Sequence, residues 1–304
     1  MTTPLVTAWP LEPGHLSEGP RWDEERQELL WVDILGSGFH RATVTADGAP
    51  DRVRTMALDR HIGAAAPVAG GGYVLAAGQG FLFVDEADLV LELVQPEAGR
   101  VDVRMNDGAC DPQGRFWAGT MAYDESPGAG TLYRLELDGR CSTVLTGLTI
   151  SNGIGWSPDG ETMYLSDSGT RLVEAFDFDG VTGEIDERRT LVQMDRPGMA
   201  PDGLTVDEQG DLWVAFYGGW AVNRYGPDGS LRGTVSIPVA QATSCAFGGE
   251  DRRILFVTTG RERLEGPALE RQPDAGRVFA VTGLDARGAA CAPYRGRIRR
   301  AETG

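Results

Sequence analysis

The stretch Asp111-Pro112-Gln113-Gly114-Arg115-Phe116-Trp117 returns as Asp207-Glu208-Gln209-Gly210-Asp211-Leu212-Trp213, and in shorter form as Ser157-Pro158-Asp159-Gly160 ahead of Met163-Tyr164-Leu165. Each copy is a turn opened by Asp, Ser or Pro and closed by Gly, followed by an apolar, aromatic-rich strand. An apolar run precedes the turn, as in Gly153-Ile154-Gly155-Trp156 and Gly203-Leu204-Thr205-Val206. Working outward, this strand–turn–strand unit occurs six times, with its first position at Glu18, Ile62, Asn106, Asn152, Asp202 and Ser244. The spacings between those positions are 44, 44, 46, 50 and 42 residues. Repeats of about 40–50 residues built only from strands are the blades of a β-propeller. The reading is all-β: a six-bladed β-propeller in which equivalent positions form a ring about one axis.

The repeats use nearly all of the 304 residues, so residues 1–294 are read as one domain. A closed ring must fasten its ends, and Val6-Thr7-Ala8-Trp9 is expected to pair with Arg277-Val278-Phe279-Ala280-Val281. Residues 295–304 carry an Arg-rich run without a core pattern and are expected to fray. The net charge of −17 speaks against nucleic-acid and anionic-membrane partners, because the long-range field repels phosphates. There is no Lys, which excludes Schiff-base chemistry and a phosphate-binding P-loop lysine. Cys110, Cys141, Cys245 and Cys291 lack C-x-x-C spacing and read as reduced thiols. The N-terminus lacks the pattern of a signal peptide, and the most apolar stretch, Ile62 to Gly78, is broken by Pro67 and Gly70-Gly71-Gly72. The expected setting is the cytoplasm, and the expected state is a monomer without a free sheet edge.

Only three Asn occur in the chain, and Asn106 and Asn152 both fall on the ring position. A single Asn-Gly would be ordinary turn chemistry. Two such residues, with carboxylates at equivalent positions 18 and 202, point to a polar site on the axis. Glu18, Asn152 and Asp202 offer two carboxylates and one amide oxygen, hard donors suited to Ca²⁺, Mg²⁺ or Mn²⁺ and acceptable to Zn²⁺. Two negative charges would balance one divalent cation; unbalanced, they would repel until one took a proton. A central metal site is therefore expected. His15, His40 and His61 lack H-x-x-x-H spacing, and His61 beside a ring position is read as a solvated loop residue or a pocket neighbour. Neither G-x-S-x-G nor G-x-G-x-x-G is present.

Several motifs together carry a resemblance: Ser17-Glu18-Gly19-Pro20, Arg104-Met105-Asn106-Asp107-Gly108, Ala118-Gly119-Thr120-Met121, Ile150-Ser151-Asn152-Gly153, Pro201-Asp202-Gly203 and Thr243-Ser244-Cys245-Ala246-Phe247-Gly248-Gly249. In this combination and order the chain resembles the SMP-30/gluconolactonase/regucalcin family over roughly residues 8 to 294. The resemblance implies a metal-dependent sugar lactonase on a six-bladed propeller. Its metal ligands fall on Glu18, Asn152 and Asp202, and its substrate-holding pair on Arg104 and Asn106. A glutamate of the family falls on Asp124, one methylene shorter, in the loop from Met121 to Gly128.

The implied reaction is hydrolysis of an aldonolactone to the aldonic acid, a carboxylic-ester hydrolysis with Asp202 as general base. Three alternatives stand beside it. One is a non-catalytic calcium-binding or regulatory propeller; another is an organophosphate or aryl-ester hydrolase on the same fold; the third is a protein-interaction propeller whose channel is only core. The residues do not distinguish which lactone or which divalent metal is used.

Overall fold

The computed structural model describes residues 4–298. Six four-stranded antiparallel sheets follow one another along the chain, so the fold is a six-bladed β-propeller. The innermost strands of blades 1 to 6 are Ser17–Asp23, Ile62–Pro67, Val103–Cys110, Ser151–Trp156, Ala200–Val206 and Ala242–Gly248. These inner strands are almost wholly buried, as their continuous apolar and small-residue runs require. The outermost strands, such as Pro50–Ala57 and Ile185–Gln193, are largely exposed.

Blade 6 is completed by the start of the chain. Leu5–Ala8 lies antiparallel to Phe279–Thr282, with Val6 opposite Val281. The expected pairing of the two ends is what the ring contains, and it removes the exposed edge of that sheet. Trp9, fully buried, then packs edge-on to Trp31 at 5.5 Å and to Phe256 at 5.7 Å, joining blades 1 and 6.

The repeated turn motif explains itself in the structure. Asp207 Oδ1 accepts the N–H groups of Gln209 and Asp211 at 3.0 and 2.9 Å, and its Oδ2 accepts Trp213 Nε1 at 2.9 Å. Asp111 does the same for Gln113, Arg115 and Trp117, at 3.0 Å in each case. One buried carboxylate thus satisfies the turn and locks the first tryptophan of the next strand.

Of the tail expected to fray, residues 295–298 are instead tied to the ring. Residues 286–298 cross the end of the ring opposite the ring residues named above. Main-chain bonds tie Ala289 to Val206, Gly288 to Arg252, Tyr294 to Pro67, Arg295 to Gly114 and Arg297 to Leu137. Tyr294 is fully buried and its hydroxyl donates to the Glu136 carbonyl at 2.8 Å. The rest of the predicted tail, residues 299–304, lies outside the described residues. All four cysteines are free, and among the described residues no helix is long and apolar enough to cross a membrane.

Candidate metal centre and substrate cavity

In every blade the register between first and second strands slips at the ring position. The slips lie between Glu18 and Arg21, Ile62 and Ala64, Met105 and Gly108, Ser151 and Ile154, Pro201 and Leu204, and Ala242 and Ser244. Such a bulge breaks the alternation of the strand and re-aims a side chain. It turns the ring residues toward the axis. The glycine that follows serves close approach between blades: a Cβ on Gly203 would meet Ser244 Oγ at 1.9 Å, and one on Gly153 would meet the Leu204 nitrogen at 2.4 Å. The Asn-Gly and Asp-Gly pairs therefore lie inside strands.

Glu18, Arg104, Asn106, Asn152 and Asp202 line one cavity of about 400 Å³ at this end of the ring. All five are buried. A larger groove of about 890 Å³ runs along the outer strands of blades 3 and 4, away from these residues.

A short relay orients Asn152. Its Nδ2 donates to Ser168 Oγ at 3.0 Å, and that hydroxyl donates to the Pro201 carbonyl at 2.7 Å. With one N–H of its NH₂ group bound to Ser168, Asn152 presents its carbonyl oxygen to the cavity. Asn152 Oδ1 and Asp202 Oδ1 are buried and have no hydrogen-bond partner. Glu18 Oε2 accepts only a backbone bond, from Gly19 at 3.0 Å. Buried oxygens short of donors are costly unless a ligand completes them.

The charges agree. Burial, then the nearby Asp107, pushes the Glu18 carboxyl up to about 8. Burial, then Glu18 and Asp107, drives Asp202 well above the usual carboxylate range. Asp107 is itself raised by burial, offset by Arg21, whose Nη2 stands 3.6 Å from Asp107 Oδ1. Among the described residues no three His, Cys, Asp or Glu side chains form a ligand group. A cation on this axis would depend on the Asn152 amide oxygen as its third protein donor, a donor set that suits a hard divalent ion.

Arg104 and Asn106 face the same space. Arg104 Nη1 donates to Asn106 Oδ1 at 2.6 Å and to the Met105 carbonyl at 3.1 Å, and Asn106 Nδ2 donates to the Ser151 carbonyl at 2.9 Å. Burial pulls the Arg104 guanidinium below its ordinary value, opposed by Tyr123, Glu18, Glu262 and Asp202.

Asp124 does not join them. It is exposed, and its Oδ1 caps the Ser126 N–H at 3.0 Å. The neighbouring Glu125, with left-handed φ of 58°, lines the cavity instead. Glu125 Oε1 pairs with Arg263 Nη2 at 2.5 Å, joining loops of blades 3 and 6 across the mouth. Sequence reasoning singled out neither partner, nor Ser168 and Arg171. The aromatic stretch after Ala215 divides: Tyr217 lines the cavity, Phe216 is core and Trp220 is exposed. His61 lies outside the cavity, hydrogen-bonded through Nδ1 to the Tyr123 hydroxyl at 3.0 Å.

Comparison with known proteins agrees with this architecture. The regucalcin of Danio rerio is 37% identical over 288 residues, which are 94% of this chain and 96% of the relative. A luciferin-regenerating enzyme superposes with a TM-score of 0.87 at 32% identity, over 97% of this chain and 99% of that one. A calcium-binding protein, regucalcin, from Agrobacterium tumefaciens also gives 0.87, at 29% identity over 93% and 95% of the two chains. The profile of the SMP-30/gluconolactonase/LRE-like region matches residues 16–261. The chain therefore belongs to the SMP-30/gluconolactonase/LRE-like family.

Proposed function

We propose that this protein hydrolyses a sugar lactone to its aldonic acid, using one divalent cation held by Glu18, Asn152 and Asp202. The observation that carries the reading is the pair of buried, unpartnered oxygens, Asn152 Oδ1 and Asp202 Oδ1, in one cavity with a buried Glu18. Two carboxylates and an amide from three blades fit a hard cation in number and kind.

When bound, such a cation supplies Lewis acidity, polarising an ester carbonyl and lowering the pKa of water. The chain does the rest. Asp202 would help to hold the cation and would take the proton from the attacking water. Asn152 is held carbonyl-inward by Ser168. Arg104 and Asn106, already joined at 2.6 Å, present N–H donors to sugar hydroxyls and to the carboxylate that ring opening releases. Met121, Met199 and Tyr217 wall the cavity and limit water around the ester.

Metal content measured by elemental analysis, followed by acid release from a panel of neutral aldonolactones with and without chelator, tests the proposal. Chelator-sensitive turnover that Asp202→Asn abolishes supports it. A second reading is favoured by the relatives named regucalcin and by the solved calcium-binding protein: calcium binding without turnover. Calcium bound stoichiometrically, with no hydrolysis of any lactone, aryl ester or organophosphate, would select that reading.

A further inference from the structure

Three arginines line the cavity: Arg104, Arg171 and Arg263. Two are engaged. Arg104 donates to Asn106 and to the Met105 carbonyl, and Arg263 pairs with Glu125 and stands 3.6 Å from Glu262. The guanidinium of Arg171 has no hydrogen-bond or ion-pair partner among the described residues. The chain carries 45 acidic residues against 28 Arg. Arg171 is exposed to solvent; Arg54, Arg196, Arg261, Arg271 and Arg297 likewise have no side-chain partner among the described residues, but none of them lines this cavity.

The turn that carries Arg171 is fixed beside the proposed metal ligands. Asp167 Oδ1 accepts the N–H groups of Ile150 and Gly169, each at 3.0 Å. Ser168, three residues before Arg171, is the hydroxyl that bonds Asn152 at 3.0 Å and the Pro201 carbonyl at 2.7 Å. Arg171 itself has φ of 62°, a left-handed backbone that disfavours a non-glycine residue. The same cavity wall carries Gly169, Gly198 and Ala200, which have little or no side chain. The other charges at the mouth, Glu125, Glu262 and Arg263, are occupied with one another on blades 3 and 6.

An unpaired planar fork of donors at the mouth of a cavity matches a carboxylate or phosphate. At long range a charge of −17 repels such anions, so a local cation is needed to give one a favourable resting place. We infer that the preferred substrate is a sugar lactone bearing a second acid group, carboxylate or phosphate, remote from the ester, and that Arg171 binds that group. This deepens the lactonase reading and rests on it.

The test compares three lactones on the metal-loaded protein: gluconolactone, its counterpart with a terminal carboxylate and its counterpart with a terminal phosphate. Wild type is expected to favour at least one anionic lactone over the neutral one by about 10- to 100-fold in kcat/KM, the scale of one charge-assisted contact. That preference should shrink with added salt. Arg171→Asn, which tolerates the left-handed backbone, and Arg171→Gln should bring the ratio to near one; Arg171→Lys should keep part of it. Whichever anionic lactone shows the larger ratio identifies the acid group. Turnover of the neutral lactone with no gain from either acid group, or a gain that survives both charge-removing substitutions, overturns this inference alone. No turnover of any lactone overturns the lactonase reading and this one with it.

Discussion

Asn106 Nδ2 donates to the Ser151 carbonyl at 2.9 Å, a side-chain bond from blade 3 to the residue just before Asn152 on blade 4. The same amide accepts from Arg104. One side chain therefore joins the proposed substrate arginine to the backbone of a proposed metal ligand. Asn106→Ala would leave a buried guanidinium and a buried carbonyl short of partners. We expect kcat/KM on a neutral aldonolactone to fall about 10- to 100-fold and cation affinity, by calorimetry, about tenfold. Wild-type affinity in a folded variant would show that the Ser151 bond does not help to hold Asn152.

Protein stripped of metal by chelator should lose stability as pH rises. The folded value for Glu18, about 8, stands above its ordinary 4.5. Its stabilising contribution is complete below about 4.5 and is lost as pH climbs through about 8. Asp202 and Asp107 shift in the same direction. The acids held low, such as Asp59, Asp102 and Asp228, act in a separate window below about 3.8. Tm of the chelated protein should therefore decline from weakly acid to weakly alkaline pH. Glu18→Gln should flatten that slope, and saturating divalent salt should remove it. A flat profile in chelated wild type would contradict the charge arrangement described.

Asp207 is fully buried and holds two turn N–H groups, the Trp213 indole and Arg224 Nη2, the last at 2.9 Å. Asp207→Ala strands these donors together. A loss of about 2–4 kcal/mol is expected in urea unfolding, with Asp207→Asn recovering part of it. A loss below about 1 kcal/mol would mean that water replaces the carboxylate without difficulty.

The Glu125–Arg263 pair lies on the exposed rim, with side chains 40% and 64% accessible. Surface pairs of this kind contribute roughly 0–1 kcal/mol. Arg263→Ala should leave Tm nearly unchanged yet raise KM several-fold, since the pair spans the mouth between blades 3 and 6. An unaltered KM would assign the pair no part in retaining substrate.

The ring was legible in sequence because each blade repeats one solution to the same packing problem. The Gly-closed turn and the apolar strands on either side of it return at intervals of 42 to 50 residues, so Glu18, Asn106, Asn152 and Asp202 could be aligned without any structure. Position 125 was not legible. The backbone at Glu125 turns left-handed, at φ 58°, without a glycine to announce it, and this exchanges the outward and inward places of Asp124 and Glu125. The chain beyond Leu284 was also opaque. It lies across strand ends rather than in a sheet, so no period of two marks it, and its buried side chains, Ala286 and Tyr294, stand too far apart to make a pattern. Arg171 belongs to the same class, because the lack of a partner is visible only once the neighbours are in place.

Leu5–Ala8 and Phe279–Thr282 are mated across almost the whole length of the polypeptide. During synthesis the first segment must therefore wait, unmatched, until Phe279–Thr282 has been made. The nascent protein spends that interval with a sticky border on show, and Glu18, at one side of the gap, cannot meet Asp202 until the circle shuts. Pairing of such remote segments is slow and invites wrong partners. A rearranged gene that opens the chain between two blades, with the present ends joined by a short spacer, would let this seam form early and should refold faster than the natural order.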